Sequence, residues 1–525
     1  MTSATSSATA PLVTRRTWMA FAVLILGIAM ALLDTTIVNV ALPTIRTSLH
    51  ADEATLSWII SGYALAYGLA LIPAGRIGDR IGHKWVFIVG LAGFTLASLA
   101  AGISNDTATL IVARVVQGLF GGIFFPPVTA LIQLMFPPRA RGKAFAVFGA
   151  SIGFSTALGP LVGGLLIQWL GETDGWRSIF FVNLPFGVIA VVAAFLLLPS
   201  EVAGRGRSGV DLVGFVLLSG ALVAILVPLI QGQQDGWPLW TYLSIAGGIV
   251  LLVVFAFWEL GVARRGKEPL VPPRLFAHPS FTGGVILALV YFAAFTSIFF
   301  SISIFWQTGL GHTALESGLV SIPFAIGSIV GASQSNRLAE RLGRTVLVIG
   351  TALVALGLIG VWLMLQLMAP QDLTNWELLG PLAVAGFGSG LFIAPNSQFI
   401  VATVDRAEAG AASGVIGTMQ RVGSAIGIAV IGSVLFGSLP SSFAPTAAQS
   451  AAAAEAHGAE GSAAVKAAIQ RIVDHNLAVG FGHGATLALA VSAVFAIVAF
   501  GLVFVLPRRI SRGYEIPADA GQPRG

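Results

Sequence analysis

Residues 18–41 read WMAFAVLILGIAMALLDTTIVNVA. As a helix, such a stretch extends roughly 36 Å at 1.5 Å per residue, enough to cross about 30 Å of hydrocarbon. One acidic residue, Asp34, interrupts the apolar run. A cleavable leader has a shorter apolar run and a small-residue cleavage site. The stretch therefore reads as a first membrane span behind Arg15 and Arg16. The pattern recurs at 55–76, 85–104, 108–133, 143–170, 179–199, 211–231, 239–262, 281–306, 315–338, 345–367, 378–402, 412–438 and 481–506, which makes fourteen expected spans.

Composition agrees. Of 525 residues, 56% are hydrophobic and 10% charged, where a soluble chain has about 25% charged. That is too little charge to cover a 54.3 kDa globule whose mean hydropathy is +0.89. A soluble enzyme, a nucleic-acid binder and a disordered scaffold are thereby excluded. The fold class expected is an all-α polytopic membrane protein with the lipid bilayer as solvent. The net charge of +5 reflects which loops face the cytoplasm. There is no cysteine, so thiolate chemistry and disulfides are absent.

With the N-terminus placed inside, 22 of the 28 lysines and arginines fall on the cytoplasmic side, among them Arg76, Arg80, Lys84, Arg139, Arg141 and Arg344. Such asymmetry is the positive-inside rule, and it puts both termini in the cytoplasm. The chain also repeats itself. GRIGDRIGHK (75–84) resembles NRLAERLGRT (336–345) at an offset of 261, and Gly122, Pro127, Gly159 and Gly164 recur as Gly390, Pro395, Gly427 and Gly432 at an offset of 268. Parallel repeats are the architecture of one large transporter fold, with a substrate site near the midplane. The expected organisation is a tail (1–17), a six-helix bundle (18–200), two linker spans with their loops (201–280), a second six-helix bundle (281–506) and a tail (507–525). An external loop (440–480) with a short helix near 462–475 interrupts the second bundle.

LDTTIVNVALP (33–43), GRIGDRIGHK, RVVQG (114–118), GPLVGG (159–164), WRSIFFVNLPFG (176–187), PLVPPRLF (269–276) and MQRVGSAIG (419–427) occur in this order. Together they resemble the major facilitator superfamily, and within it the fourteen-span drug:proton antiporters of the EmrB/QacA type. Ser178 and Ser155 depart from that pattern, at positions where the family usually has Trp and Gly.

An ionisable residue inside a span is a functional hypothesis, because burying it unpaired costs several kcal/mol. Asp34 lies roughly 24 Å from the cytoplasmic edge and Arg114 roughly 21 Å, at 1.5 Å per residue. They share a depth, with Gln117 one helical turn beyond Arg114. Two readings fit: a proton-coupling pair, which the resemblance implies, or a static ion pair locking two helices. In the 75–84 loop, Gly75, Asp79, Arg80 and Gly82 form either a topology signal or, as the resemblance implies, a conformational latch in which Asp79, at a helix end, pairs across to the other half and breaks on switching. The fifth span steps Ser151, Ser155, Gly159 and Gly163 four residues apart with Pro160 and Gly164 beside them. This spacing allows close helix packing, and the resemblance implies an antiporter motif and export.

Candidate cavity residues are Asn39, Gln117, Tyr291, Phe295, Glu316 and Arg421. For Glu316 the alternative is a solvated helix-start acid, and for Arg421 a snorkelling structural cation. Asp211 is expected to stabilise a helix start and Glu259 to be structural. GVARRGKE (261–268) lacks the strand and the hydroxyl residue of a phosphate loop. No catalytic cluster or metal set is present in the sequence, so no enzyme activity, metal or cofactor is expected, and the proton gradient is the implied driving force. The sequence reading is a proton-driven exporter of hydrophobic or cationic drug-like small molecules in the plasma membrane. Its alternatives are an exporter of one endogenous antibiotic or siderophore, a nutrient symporter and a non-transporting membrane protein, either a sensor or a lipid-modifying enzyme. Partner proteins are not legible.

Overall fold

The structure is a computed structural model. It describes residues 14–506 apart from 52, 172–173, 201–210, 233–234, 402–403, 406–407, 441–442, 447–448 and 451–462. The C-terminal tail, most of the N-terminal tail, and residues 441–442, 447–448 and 451–462 of the loop 440–480 therefore lie outside the described residues. What is described is helical, with no strand among the described residues.

The helices are α1 (Arg15–Leu49), α2 (Glu53–Ile81), α3 (His83–Gly102), α4 (Thr107–Met135), α5 (Pro138–Leu170), α6 (Gly175–Phe181) and α7 (Asn183–Leu197). There follow α8 (Leu212–Gln231), α9 (Leu239–Arg264), α10 (Pro279–Ile304), α11 (Ala314–Val320), α12 (Ile322–Leu342), α13 (Thr345–Leu367), α14 (Asn375–Val401), α15 (Ala409–Gly437) and α16 (Ala463–Val503). Thirteen helical stretches of the described residues are long and apolar enough to cross a membrane. The fifth expected span falls on α5, a helix of 33 residues whose described apolar stretch is Leu161–Leu170. Large side chains such as Leu96, Val112, Leu196, Val216 and Phe257 are exposed along these helices, and contiguous exposed apolar surface of this kind belongs against lipid.

Proline decides where expected spans break. The sixth is two helices, α6 and α7, parted at Val182. Pro185 has no N–H to bond the Phe181 carbonyl, so the ladder stops there. The tenth is likewise α11 and α12, because Pro323 cannot bond Leu319. In contrast, the short helix expected near 462–475 is not separate: α16 runs unbroken for 41 residues. It contains no proline, and at roughly 60 Å it outruns the hydrocarbon. Gly480 serves a close contact, since a Cβ there would lie 2.7 Å from the Phe443 ring.

Two compact units gather from the chain. The first is Met1–Val210 with Arg406–Gly417, and the second is Asp211–Asp405 with Thr418–Gly525. The repeat seen in the sequence recurs as packing inside each. In the first, a Cβ on Gly118 of α4 would stand 2.2 Å from the Tyr63 carbonyl oxygen of α2, and one on Gly122 would stand 2.3 Å from that of Tyr67. In the second, a Cβ on Gly386 of α14 would stand 2.0 Å from the Phe324 carbonyl oxygen of α12, and one on Gly390 would stand 2.2 Å from that of Ser328. The turn after α2 holds Gly82 at φ 98° and the turn after α12 holds Gly343 at φ 57°, a region that favours glycine.

The cations following these turns do the same work twice. Lys84 Nζ donates to the carbonyls of Phe195 (2.9 Å) and Leu198 (2.8 Å), while Arg344 Nη1 donates to those of Phe504 (2.9 Å) and Leu506 (2.5 Å). Each satisfies carbonyls at or just beyond a helix C-terminus, where the macrodipole is negative.

Gly122→Leu and Gly390→Leu should each destabilise the protein by at least about 1–3 kcal/mol, the usual cost of overpacking. Gly247 on α9 has open space around its Cβ position, so Gly247→Leu should change stability by less than about 0.5 kcal/mol. Thermal unfolding in detergent checks all three.

Candidate functional site

Asp34 and Arg114 meet. Arg114 Nη1 donates to Asp34 Oδ2 at 2.6 Å, with both side chains almost wholly buried in the first unit. The same Nη1 donates to Gln117 Oε1 at 2.7 Å, and Gln117 Nε2 donates to Asp34 Oδ1 at 2.9 Å. Asn183 Nδ2 adds a fourth contact, to Asp34 Oδ1 at 3.1 Å. Ser98 Oγ accepts from both amides, at 2.6 Å from Gln117 and 3.0 Å from Asn183. Arg114 Nε donates to the Ile59 carbonyl at 3.3 Å, and its guanidinium lies 4.1 Å from the Tyr63 ring centroid. Five helices, α1, α2, α3, α4 and α7, thus converge on one carboxylate.

The surroundings are dry. Ile37, Val38, Ile59, Trp176 and Phe180 are buried in one apolar cluster, and Phe180 also lies under the guanidinium, 5.7 Å from its centroid to Cζ. In such a medium an unpaired carboxylate is costly, and a satisfied network is stiff. Both Asp34 oxygens face N–H donors. The glycine stripe bears on the same helix. A Cβ on Gly159 would lie 1.9 Å from Thr36 Oγ1, and one on Gly163 would lie 2.9 Å from Ile37 Cγ1. Small residues therefore bring α5 onto α1 within one turn of Asp34. Gly164 is half-buried on α5, and the side chain of Pro160 lies outside the described residues.

Asp79 forms a second polar junction in the first unit. Its Oδ1 accepts from the Gly410 N–H at 2.8 Å and its Oδ2 from the Ala411 N–H at 3.0 Å. These belong to the first turn of α15, where N–H groups have no acceptor within the helix. A carboxylate there also sits at the positive end of the helix dipole. His83 Nε2 is 3.3 Å from Oδ1. The approach depends on glycine, because a Cβ on Gly75 would stand 2.0 Å from the Gly410 oxygen and one on Gly410 would stand 2.2 Å from the Gly75 oxygen. Arg80 is half-buried in the last turn of α2, and Gly82 starts α3 from its positive φ.

The other candidates scatter. Gln117 belongs to the Asp34 network, and Asn39 is exposed on α1. In the second unit, Tyr291 donates to Ser389 Oγ at 2.7 Å and stacks on Phe392 at 3.9 Å between centroids. Phe295 continues that buried aromatic group toward Phe299 and Phe324. Glu316 is the third residue of a capping box, its carboxylate accepting from the Thr313 N–H at 2.8 Å. Arg421 is half-buried on α15.

Sequence reading missed Asn183, Ser98 and Tyr63. Asn183 carried a signal, as a lone amide in an apolar run just before a proline. Ser98 carried none that separates it from serines such as Ser492, whose hydroxyl bonds its own helix.

A sequence model of the Major Facilitator Superfamily matches residues 24–428. The chain is 38% identical over 429 residues to the probable actinorhodin transporter of Streptomyces coelicolor, covering 81% of this chain and 74% of that protein. It is 34% identical over 422 residues to the tetracenomycin C resistance and export protein of Streptomyces glaucescens, covering 80% and 76%. In structure it is similar to the human organic anion transporter MFSD10 (TETRAN), with a TM-score of 0.60, 16% identity, and coverage of 93% of this chain and 99% of that one. The five-helix grip on Asp34, the repeated helix packing and these likenesses have one meaning: the chain belongs to the major facilitator superfamily and has the major facilitator fold.

Proposed function

We propose that the protein is a proton-coupled exporter of amphipathic antibiotics or drug-like compounds. The observation that carries this reading is Asp34, a buried carboxylate held by hydrogen bonds from three side chains, Arg114, Gln117 and Asn183. When the network is closed Asp34 is ionised, and when it opens the acid can take a proton. Substrate and proton would then favour different states, and by linkage each would weaken the other's binding. The proton gradient alone drives the cycle, with no cofactor. Relatives named as antibiotic transport and resistance proteins support export over uptake, as does the glycine stripe pressing α5 onto α1 beside Asp34.

The rest of the proposal follows the sequence. The chain has the fourteen-span organisation of the EmrB/QacA type, two six-helix halves with α8 and α9 as linker spans, and sits in the plasma membrane with both termini in the cytoplasm. Its substrate is met in part by the aromatic group around Tyr291 and Phe295. Asp79 holds the first turn of α15 in one state and releases it in the other. A second reading, export of one antibiotic only, draws support from relatives named for single compounds, actinorhodin and tetracenomycin C.

Acid-loaded proteoliposomes test the coupling. Adding a substrate from a panel of cationic, neutral and anionic drugs and aromatic polyketides should release lumenal protons with wild type, and Asp34→Asn should reduce the rate to that of protein-free vesicles. Equal rates for both proteins would remove Asp34 from the proton path. Responses to many compounds support the broad exporter, and a response to one polyketide supports the narrow one.

Asp79→Asn replaces an acceptor with an amide that cannot satisfy both N–H groups, at a cost of about 1–3 kcal/mol. That should change the ratio of conformers roughly 5- to 150-fold, since about 1.4 kcal/mol is tenfold. The chain has no cysteine, so spin labels on introduced cysteines near the ends of α2 and α15 would read this shift without background.

A further inference from the structure

Away from the Asp34 network, two carboxyl groups converge in the second unit. Asp211 caps α8, its Oδ1 accepting from the Gly214 N–H at 2.9 Å. Trp258 Nε1 on α9 donates to both Asp211 oxygens, at 3.1 and 2.8 Å. The next residue, Glu259, is 2% exposed. Its Oε2 accepts from the Val271 N–H at 3.0 Å, which ties the segment before a short 3-10 turn (Pro273–Ala277) and α10 back onto α9. Its Oε1 is buried and has no hydrogen-bond partner among the described residues.

That oxygen and Asp211 Oδ2 border one gap, the one left by Gly214. The point a Cβ on Gly214 would occupy lies 2.6 Å from Glu259 Oε1 and 2.6 Å from Asp211 Oδ2, so both oxygens close on the gap the glycine leaves. Of the elements packed on Glu259, α8 brings the Asp211 carboxylate and the 270–271 segment brings backbone N–H groups. Two carboxylate oxygens closing on one gap, with no cation against them among the described residues, repel, whereas one proton between them turns the contact into a hydrogen bond. We propose that Asp211 and Glu259 hold one proton between them, making a second proton-binding site on α8 and α9. Asp211 already takes three N–H contacts, so the proton resides on Glu259 Oε1 and is donated to Asp211 Oδ2. The bound proton lets Glu259 stay inside and keep its grip on Val271. Its release would put two charges behind Gly214 and loosen the segment leading to α10.

The site stands apart from the export reading and is tested without transport. Infrared difference spectra of the full chain in lipid nanodiscs, recorded across a pH titration, should show a protonated carboxyl C=O stretch that disappears as pH rises. The band should be lost entirely in Glu259→Gln, shifted in frequency in Asp211→Asn, and unchanged in Asp34→Asn. Because the side-chain amide introduced by Glu259→Gln donates to Asp211 as the acid does, that variant should keep the wild-type unfolding midpoint. A band that survives Glu259→Gln, or the absence of any such band in wild type, would overturn the proposal. So would loss of the band on adding sodium at constant pH, which would assign the gap to a metal cation.

Discussion

A carboxylate carried into hydrocarbon must bring its counter-charge with it. Much of the first unit is arranged around that requirement. Asp34 cannot stand in α1 unless Arg114 reaches it from α4, and Arg114 cannot be buried unless Ile59, Gln117 and the Tyr63 ring take up the rest of its guanidinium. Gln117 and Asn183 then complete the carboxylate and meet at Ser98. Five helices are fixed relative to one another by one charge. The same economy makes the network stiff, because no member can leave without exposing an unsatisfied partner.

Close packing supplies the precision. Glycine lets α4 touch the α2 backbone in the first unit and lets α14 touch the α12 backbone in the second, at positions 268 and 261 residues apart along the chain. The repeated scaffold nevertheless carries different chemistry. Where the first unit places Asp34 and Arg114, the second has Phe295 and Leu382 at the corresponding offsets, and its interior holds the Tyr291–Phe392 stack. At these corresponding positions one unit buries an ion pair and the other packs aromatic rings.

Much of this was legible in the residues. Span length follows from apolar run length, so the main elements were readable, and equal depth anticipated the meeting of Asp34 with Arg114. The 261-residue offset anticipated the shared turn at Gly82 and Gly343. What escaped was whatever depends on a single atom or on a register between distant segments. Pro185 and Pro323 break helices inside apolar runs that hydropathy alone reads as continuous. The uninterrupted α16 reflects the absence of a breaker, a weaker signal than the presence of one. Ser98 looks like any serine until Gln117 and Asn183 are seen to share its oxygen. Glu316 as a helix cap and Glu259 as a clasp on Val271 depend on partners that one-dimensional spacing does not reveal.

The central claim is that Asp34 exchanges a proton as substrate binds. The most direct measurement is substrate affinity as a function of pH, for wild type and Asp34→Asn side by side, using purified protein and one responding compound. If one proton leaves Asp34 on binding, wild-type affinity should rise with pH by up to about tenfold per pH unit, because each unit is about 1.36 kcal/mol. Asp34→Asn should bind with an affinity independent of pH over that range. A slope that persists undiminished in Asp34→Asn would contradict the account and leave Asp34 and Arg114 as a fixed brace between helices.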